Sequence, residues 1–295
     1  MSATAWQAYK PIRELKEMTR DVDRLSAQQL QDTRQLWWDD HFSQFLWSRL
    51  QQHQMQLLLD AGCGVGTFFQ RMVPFFSERT NFLGVDIDDA RLQIASQQAK
   101  DYAYLARLHL LASDLCSLPL KNECIDAAIT VLTLQHIEQP ELAIAELWRV
   151  TRREGVVVCV EPDNLRQCIS LPRHHREFQE AQAGFWSEVR AHYLPRDIAL
   201  GLRLPLLLTE NGYRVQATDG YLITHVNRES PQSFTERSKK AFLGMGEKYE
   251  LAPESAVMQR LLEAIAGLER EYLGFDDFYT IATIPLFLAE GVKNR

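Results

Sequence analysis

Positive charge is in short supply in this chain: Lys and Arg total 32 against 39 Asp and Glu, a formal net charge of −7. Proteins that grip nucleic acid usually carry a basic surplus or a Lys/Arg-rich face, so a nucleic-acid partner is disfavoured and a small or peptide ligand, neutral to basic, fits more easily. Cysteine is scarce as well. Cys63, Cys116, Cys124, Cys159 and Cys168 are odd in number and form no C-x-x-C pair, which argues against a disulfide framework or zinc knuckle and for reduced thiols. His174-His175 lacks a third ligand at recognisable spacing, so it is expected to face solvent and no metal is expected. No run approaches the ~18 apolar residues a membrane helix needs. Residues 1–6 show no cationic segment leading into an apolar one, so a soluble, cytoplasmic chain without membrane association is expected. What is present is ordinary for a globular protein: 46% hydrophobic and 24% charged residues in a chain of 295, suited to one α/β domain with insertions.

Residues 5–55 show no strand-like alternation, and their apolar spacing predicts two or three helices, an N-terminal helical cap over 1–55. From 57 onward apolar runs alternate with helical segments. Strands are predicted at 57–61, 81–85, 107–112, 125–130 and 156–161, with helices at 67–77 (Pro74 shortening or kinking it), 90–100 and 139–151. This is the rhythm of βαβ units and a parallel sheet. After Pro162 the pattern changes to helices at 174–192 and 196–211, a strand from about 213 to 226, helices near 231–246 and 255–273, and a last strand at 278–288 whose Pro285 suggests an edge or a bulge. The block at about 227–276 is too long for a hairpin and reads as a helical lid inserted into the domain that spans 56–295.

The stretch Leu57-Leu58-Leu59-Asp60-Ala61-Gly62-Cys63-Gly64-Val65-Gly66-Thr67 is a buried strand, a glycine turn and a helix start. Glycine serves such a turn because positive φ costs it little and because a ligand can lie against a backbone without Cβ, next to the N–H groups of a helix start. The dinucleotide spacing G-x-G-x-x-G fails, since Thr67 stands where the third glycine belongs. Asp86 closes the second strand, where α/β nucleotide sites place a ribose-binding carboxylate. Ser113-Asp114-Leu115 follows the third, offering a carboxylate to an exocyclic amine and an apolar neighbour to an adenine face, or a helix cap by Asp114. Three such positions at successive strand ends mark the edge where open α/β sheets bind ligands.

These segments, with Thr130-Val131-Leu132-Thr133-Leu134-Gln135-His136-Ile137 and Val160-Glu161-Pro162-Asp163-Asn164, resemble the class I S-adenosylmethionine-dependent methyltransferases over about residues 55–162. The resemblance implies a doubly wound, mostly parallel seven-stranded sheet of the Rossmann-like type and S-adenosyl-L-methionine as cofactor, leaving S-adenosyl-L-homocysteine. It places Asp60, Ala61, Gly62 and Gly64 along the methionine part, Asp86 and Ile87 at the ribose and adenine, Asp114 and Leu115 at the adenine edge, and Val131 under the sulfonium. The N-terminal helix carrying Trp37 and Trp38 would fold over the cofactor cleft, with Arg34 offering its fork to a carboxylate.

Methyl transfer is an in-line displacement at an activated carbon, so the protein mainly aligns the partners in a dry pocket. A base is needed only where the nucleophile must lose a proton, and His136 is the best-placed candidate, with a helix-capping role as its alternative. Glu161, Tyr221 and His225 read as structural. Trp37, Trp38, Phe185, Trp186, Phe242, Tyr249 and Tyr272 are offered as walls of a water-excluding acceptor pocket. The expected activity is methyl transfer to a small or medium-sized organic acceptor at O, N or C. The alternatives are a protein or peptide methyltransferase, or a non-catalytic S-adenosylmethionine-binding partner protein. An RNA methyltransferase is disfavoured by the acidic balance and the missing N/D-P-P-Y/F tetrapeptide, and a dehydrogenase by the broken glycine spacing.

Overall fold

The structure, a computed structural model, describes residues 38–100, 105–173, 175–272 and 278–294. Most of the expected N-terminal cap, including Arg34 and Trp37, lies outside the described residues. Its described helix, α1 (Asp40–Leu50), starts where Asp39 accepts the Phe42 N–H at 2.7 Å, satisfying one of the donors that every helix start leaves open. Phe42, Leu46 and Leu50 recur at helical spacing and bury the inner face. Arg49, in the last turn, pairs with Asp219.

The chain divides into two compact units. The first runs to Glu161 and adds Leu200–Tyr221 and the chain from Phe287. Here β1 (Leu57–Ala61), β2 (Asn81–Asp86), β3 (Leu108–Ala112), β4 (Ile125–Val131) and β5 (Thr151–Pro162) alternate with α2 (Thr67–Met72), α3 (Asp89–Ala99) and α4 (Pro140–Val150). The order is β3-β2-β1-β4-β5, and each neighbouring pair is parallel. The chain winds outward from β1 to β3, then restarts at β4 on the other side of β1, which creates the switch point at which such sheets bind ligands. The strands read as unbroken apolar runs because helices cover both faces. Leu59, Val85, Ala128 and Val157 form one core with Ile144 and Leu147 of α4, all essentially inaccessible. Burying side chains of the Leu or Ile type contributes ~1.5–3 kcal/mol each. Pro74 ends α2 at Met72 and turns the chain into a 3-10 segment, Val73–Phe75, as the sequence anticipates. Strand β5 begins earlier than expected, because α4 runs directly into it and a bulge opposite Ile125–Ala127, with Glu154 at φ 60°, absorbs the extra residues.

The second unit comprises Pro162–Ala199 and Leu222–Leu286. It holds β6 (Cys168–Ser170), α5 (Arg176–Tyr193), α7 (Pro231–Lys248) and α8 (Ala256–Glu271). The helix α6 (Leu204–Glu210), in the first unit, is shorter than the expected 196–211. Strands β7 (Tyr213–Arg228) and β8 (Tyr279–Lys293) pair with each other and run through both units. Among the described residues the sheet has eight strands rather than seven: β6, only three residues long, pairs antiparallel with Ile281–Thr283 of β8. Pro285 does not mark an edge, since β8 pairs with β5, β6 and β7. At that position the strand serves as an acceptor, the Pro285 carbonyl taking the Asp163 N–H at 3.0 Å.

The long helices of this unit have a core of their own. Phe185 stacks edge-on against Phe242 at 5.2 Å and against Trp186 at 5.2 Å, and Tyr272 packs on Phe278 at 4.9 Å. Phe185, Trp186, Phe242, Tyr249 and Tyr272 are all buried in it. These five of the aromatic residues expected to wall an acceptor pocket are therefore core, because three amphipathic helices must first bury their own apolar faces. His175 is likewise not solvent-facing: Nε2 meets the Tyr272 hydroxyl at 2.6 Å and Nδ1 the Glu271 carboxylate at 3.2 Å. His174 lies outside the described residues. No group of His, Cys, Asp and Glu among the described residues is arranged to hold a metal ion.

Candidate functional site

The glycine turn leaves β1 and is pinned at once to β2. Both the Gly62 and Cys63 N–H groups donate to the Val85 carbonyl, at 2.7 and 2.9 Å. Gly62 sits at φ +84°, and a Cβ there would stand 2.2 Å from Thr133 Cγ2. The position therefore admits only glycine, on conformational and steric grounds together. Asp60, just before the turn, is 3% exposed. Burial, and then the neighbouring Asp60 and Asp86 carboxylates, push the Cys63 thiol well up, so it stays protonated and unreactive.

Asp86 lies at the carboxyl end of β2, facing the turn. Its Oδ2 accepts the Gly64 N–H at 2.8 Å and its Oδ1 the Asp88 N–H at 3.0 Å. A carboxylate offers about four acceptor sites, so these bonds fix its orientation and leave capacity for a ligand with two hydroxyls. Burial raises its pKa, and the Asp88 N–H, Arg91 and the Gly64 N–H oppose that rise. Ile87 beside it is half-buried. Ser113 donates its N–H to the Asp86 carbonyl at 3.0 Å, aligning the ends of β2 and β3. Asp114 caps no helix; it closes a local turn by accepting the Cys116 N–H at 2.8 Å. Leu115 is 6% exposed and belongs to the core of the first unit, so the Leu115 side chain serves the core.

On the other side of the switch point, Val131 ends β4 and the chain turns sharply. Leu132 adopts φ 57°, a conformation that costs a non-glycine residue ~1–2 kcal/mol. Thr133 follows, its hydroxyl 3.3 Å from the Gly62 carbonyl, and then a 3-10 turn, Leu134–His136. His136 is half-buried and shares that short turn. Glu161, fully buried at the end of β5, accepts the N–H groups of Thr133 and Leu134 at 2.8 and 2.7 Å.

Asp60, Gly62, Gly64 and Val131 line one open pocket together with Trp38, Cys63, Val65, Thr67 and Phe68. Trp38 is held by its Nε1–H bond to Ser43 Oγ at 3.0 Å and by edge contacts to Phe42 and Phe68. Tyr221 secures the same helix start, donating its hydroxyl to Asp39 Oδ1 at 3.2 Å and packing on Phe42 and Phe45. Burial, with Asp39 beside it, pushes the Tyr221 phenol up to about 12, so it remains a donor at neutral pH. Sequence reasoning missed Thr133, whose fit against Gly62 spans seventy-one positions and leaves no local signal. His225 and its strand half belong to the second unit.

Residues 59–159 match the family profile of a methyltransferase domain. Malonyl-[acyl-carrier protein] O-methyltransferase of Serratia marcescens is 35% identical over 106 residues, which is 36% of this chain and 38% of that protein. Demethylmenaquinone methyltransferase of a Roseiflexus species is 28% identical over 128 residues, 43% of this chain and 47% of that protein. The chain thus spans less than half the length of these relatives. Among solved structures, the YcgJ protein of Bacillus subtilis superposes over 86% of this chain and 99% of its own, with a TM-score of 0.54 and 14% identity, a likeness of fold.

Proposed function

We propose that this chain, which carries a class I S-adenosylmethionine-dependent methyltransferase domain at residues 59–159, transfers the methyl group of S-adenosyl-L-methionine to a small or medium-sized organic acceptor. The observation that carries the reading is the pocket at the sheet's switch point, where Asp60, the glycine turn and Val131 meet and Asp86 binds the same turn. S-adenosylmethionine supplies a methyl carbon already activated by a sulfonium, whose departure leaves a neutral thioether. Asp60, Ala61, Gly62 and Gly64 would hold the methionine part, Asp86 and Ile87 the ribose and adenine, Asp114 the adenine edge, and Val131 the floor beneath the sulfonium.

The work left to the chain is alignment and exclusion of water. Trp38, Phe68 and Val131 give the pocket apolar walls, and among the described residues Asp60 is the charged side chain that lines it, which suits a cationic ligand. His136 takes the acceptor's proton at a ring nitrogen where the nucleophile carries one. Replacing it by Ala then lowers transfer to an ionisable acceptor ~10²-fold or more while leaving cofactor binding intact. The two relatives act, by their names, on a malonyl-carrier protein and on demethylmenaquinone. Such different acceptors on a shared domain support a common cofactor core, with acceptor choice vested in residues outside 59–159. Among the described residues no helix is long and apolar enough to cross a membrane, in keeping with a cytoplasmic small-molecule enzyme.

Calorimetry of the full chain with S-adenosylmethionine, S-adenosylhomocysteine and NAD tests the reading. Binding of both sulfur ligands and not NAD is expected; a folded chain that binds neither ends the proposal. Detection of a methylated product in host extract then separates transfer from mere binding.

A further inference from the structure

We infer that Glu161 is a positioning residue for this site: its buried carboxylate holds the turn after β4 in place, and through Thr133 it fixes the glycine turn after β1. The inference rests on the methyl-transfer reading and adds to it a residue that touches no ligand.

Glu161 is 0% exposed. A carboxylate in such a place is costly unless paired or hydrogen-bonded, and backbone N–H groups answer it. Oε1 takes Thr133 N–H at 2.8 Å and Leu134 N–H at 2.7 Å, and Oε2 lies 3.5 Å from the Gln135 nitrogen. These are successive donors at the start of the 3-10 turn that carries His136. The residue before them, Leu132, is held at φ 57°, a strained geometry that persists only where the surroundings over-determine it. One constraint is the Leu132 N–H, which continues the ladder to the Val160 carbonyl at 2.9 Å. Glu161, the next residue of β5, supplies the other. The strand that receives the ladder bond therefore also provides the anion that catches the turn.

From there the constraint passes to the opposite side of the switch point. With its backbone fixed, Thr133 presents its hydroxyl to the Gly62 carbonyl at 3.3 Å and to the Val131 carbonyl at 3.2 Å. Its methyl group occupies the space a Cβ at position 62 would need. Thr133 is thus the wedge that shapes the turn at Gly62, and Glu161 holds the wedge. One buried carboxylate ties together three separate segments: residues 62, 131–136 and 161.

The test uses the full-length chain with S-adenosylhomocysteine as the calorimetric probe. Glu161→Gln keeps the shape and one acceptor oxygen, but it removes the charge that strengthens the Thr133 and Leu134 bonds and turns an amide N–H₂ toward the Gln135 N–H. It is expected to weaken binding ~10-fold or more, and Thr133→Val, which keeps the backbone donors but loses the hydroxyl, about 3-fold. Because Glu161 acts through Thr133, the double variant should bind no more weakly than Glu161→Gln alone. A merely structural Glu161 would lower the thermal midpoint while leaving the affinity of the folded protein unchanged, or would combine additively with Thr133→Val. Either result overturns the inference. Should Glu161→Gln not fold, Thr133→Val alone decides: unchanged affinity at an unchanged midpoint refutes the link to Gly62, and weakened affinity at an unchanged midpoint supports it. Wild-type protein that fails to bind the probe would instead refute the underlying methyl-transfer reading.

Discussion

Replacing Asp86 by Asn removes one charge at the end of β2 and little else, since the two side chains are nearly isosteric. In the native site both carboxylate oxygens already accept a backbone N–H, from Gly64 at 2.8 Å and from Asp88 at 3.0 Å. An Asn oxygen can keep only one of these; its amide group must then face the other donor, and a buried donor left unpaired costs ~1–3 kcal/mol. On binding, a further charge-assisted bond to a ribose hydroxyl is lost, ~1.5–3 kcal/mol. Part of this is offset in the free protein, because burial makes the Asp86 charge costly there. The unpaired donor lowers stability in free and bound protein alike, so the expected net loss for S-adenosylhomocysteine is that of the ligand bond, ~1–3 kcal/mol, on the order of 5- to 150-fold in affinity. Calorimetry measures it, with the thermal midpoint followed in parallel to establish that the variant folds. The pH arm has a definite sign. Since the folded pKa of Asp86 is raised, its protonated form is favoured by folding; its contribution to stability is present at low pH and is lost as pH rises through the folded pKa. Ligand binding needs the anion and so runs the other way. Wild-type affinity should fall on acidification at a pH above the usual carboxylate range, and the Asn variant should lose that dependence. A folded Asp86→Asn protein that binds within threefold of wild type would refute the assignment.

Gly62→Ala forces a Cβ to within 2.2 Å of Thr133 Cγ2 at φ +84° and should abolish S-adenosylhomocysteine binding. Adding Thr133→Ala removes the clash but not the ~1–2 kcal/mol backbone strain, so calorimetry of the double variant should show partial recovery. Lys293, 3% exposed, donates to the Trp148 and Thr151 carbonyls at 2.9 Å each and lies 4.0 Å from the centre of the Trp148 ring. Lys293→Met should therefore cost ~2–4 kcal/mol in urea unfolding, with the ligand affinity of the folded protein unchanged. Iodoacetamide at neutral pH should label exposed Cys124 well before Cys63, whose thiol is buried and pushed well up; mass spectrometry of the tryptic peptides reads the order, and faster labelling of Cys63 would contradict the burial of the turn.

The parts of this fold that were legible in the sequence are those in which a local rule and the global architecture agree. The five parallel strands announce themselves as apolar runs because both faces are covered, and Asp60, Asp86 and Asp114 stand out beside those runs as carboxylates at or just past the strand ends. The failures share a cause. Strand β6 is three residues long and exists only because Ile281–Thr283 of β8 offers it a ladder, so no period could reveal it. Phe185, Trp186 and Phe242 show the spacing of a helical face, which is the same whether that face lines a ligand pocket or, as here, packs on its neighbours.

The candidate site divides along the same line. The glycine turn and Asp86 belong to a pattern in which chemistry dictates residue type at short spacing, and such a pattern is visible in the sequence. Thr133 and Glu161 matter because of what they touch across the switch point, and each looks unremarkable where it stands in the chain: a Thr after a strand, a Glu before a proline. Their contribution becomes visible only when β4 and β5 are set side by side and Leu132 is seen at positive φ. A buried carboxylate answered by backbone donors is a long-range arrangement that no window of sequence contains. The same holds for Trp38, whose place in the pocket depends on Asp39 capping α1 and on Tyr221, far along the chain, bonding to that cap. Residues that contact a ligand are constrained by its chemistry and so leave a motif. Residues that position them are constrained only by geometry, and they must be read from the fold.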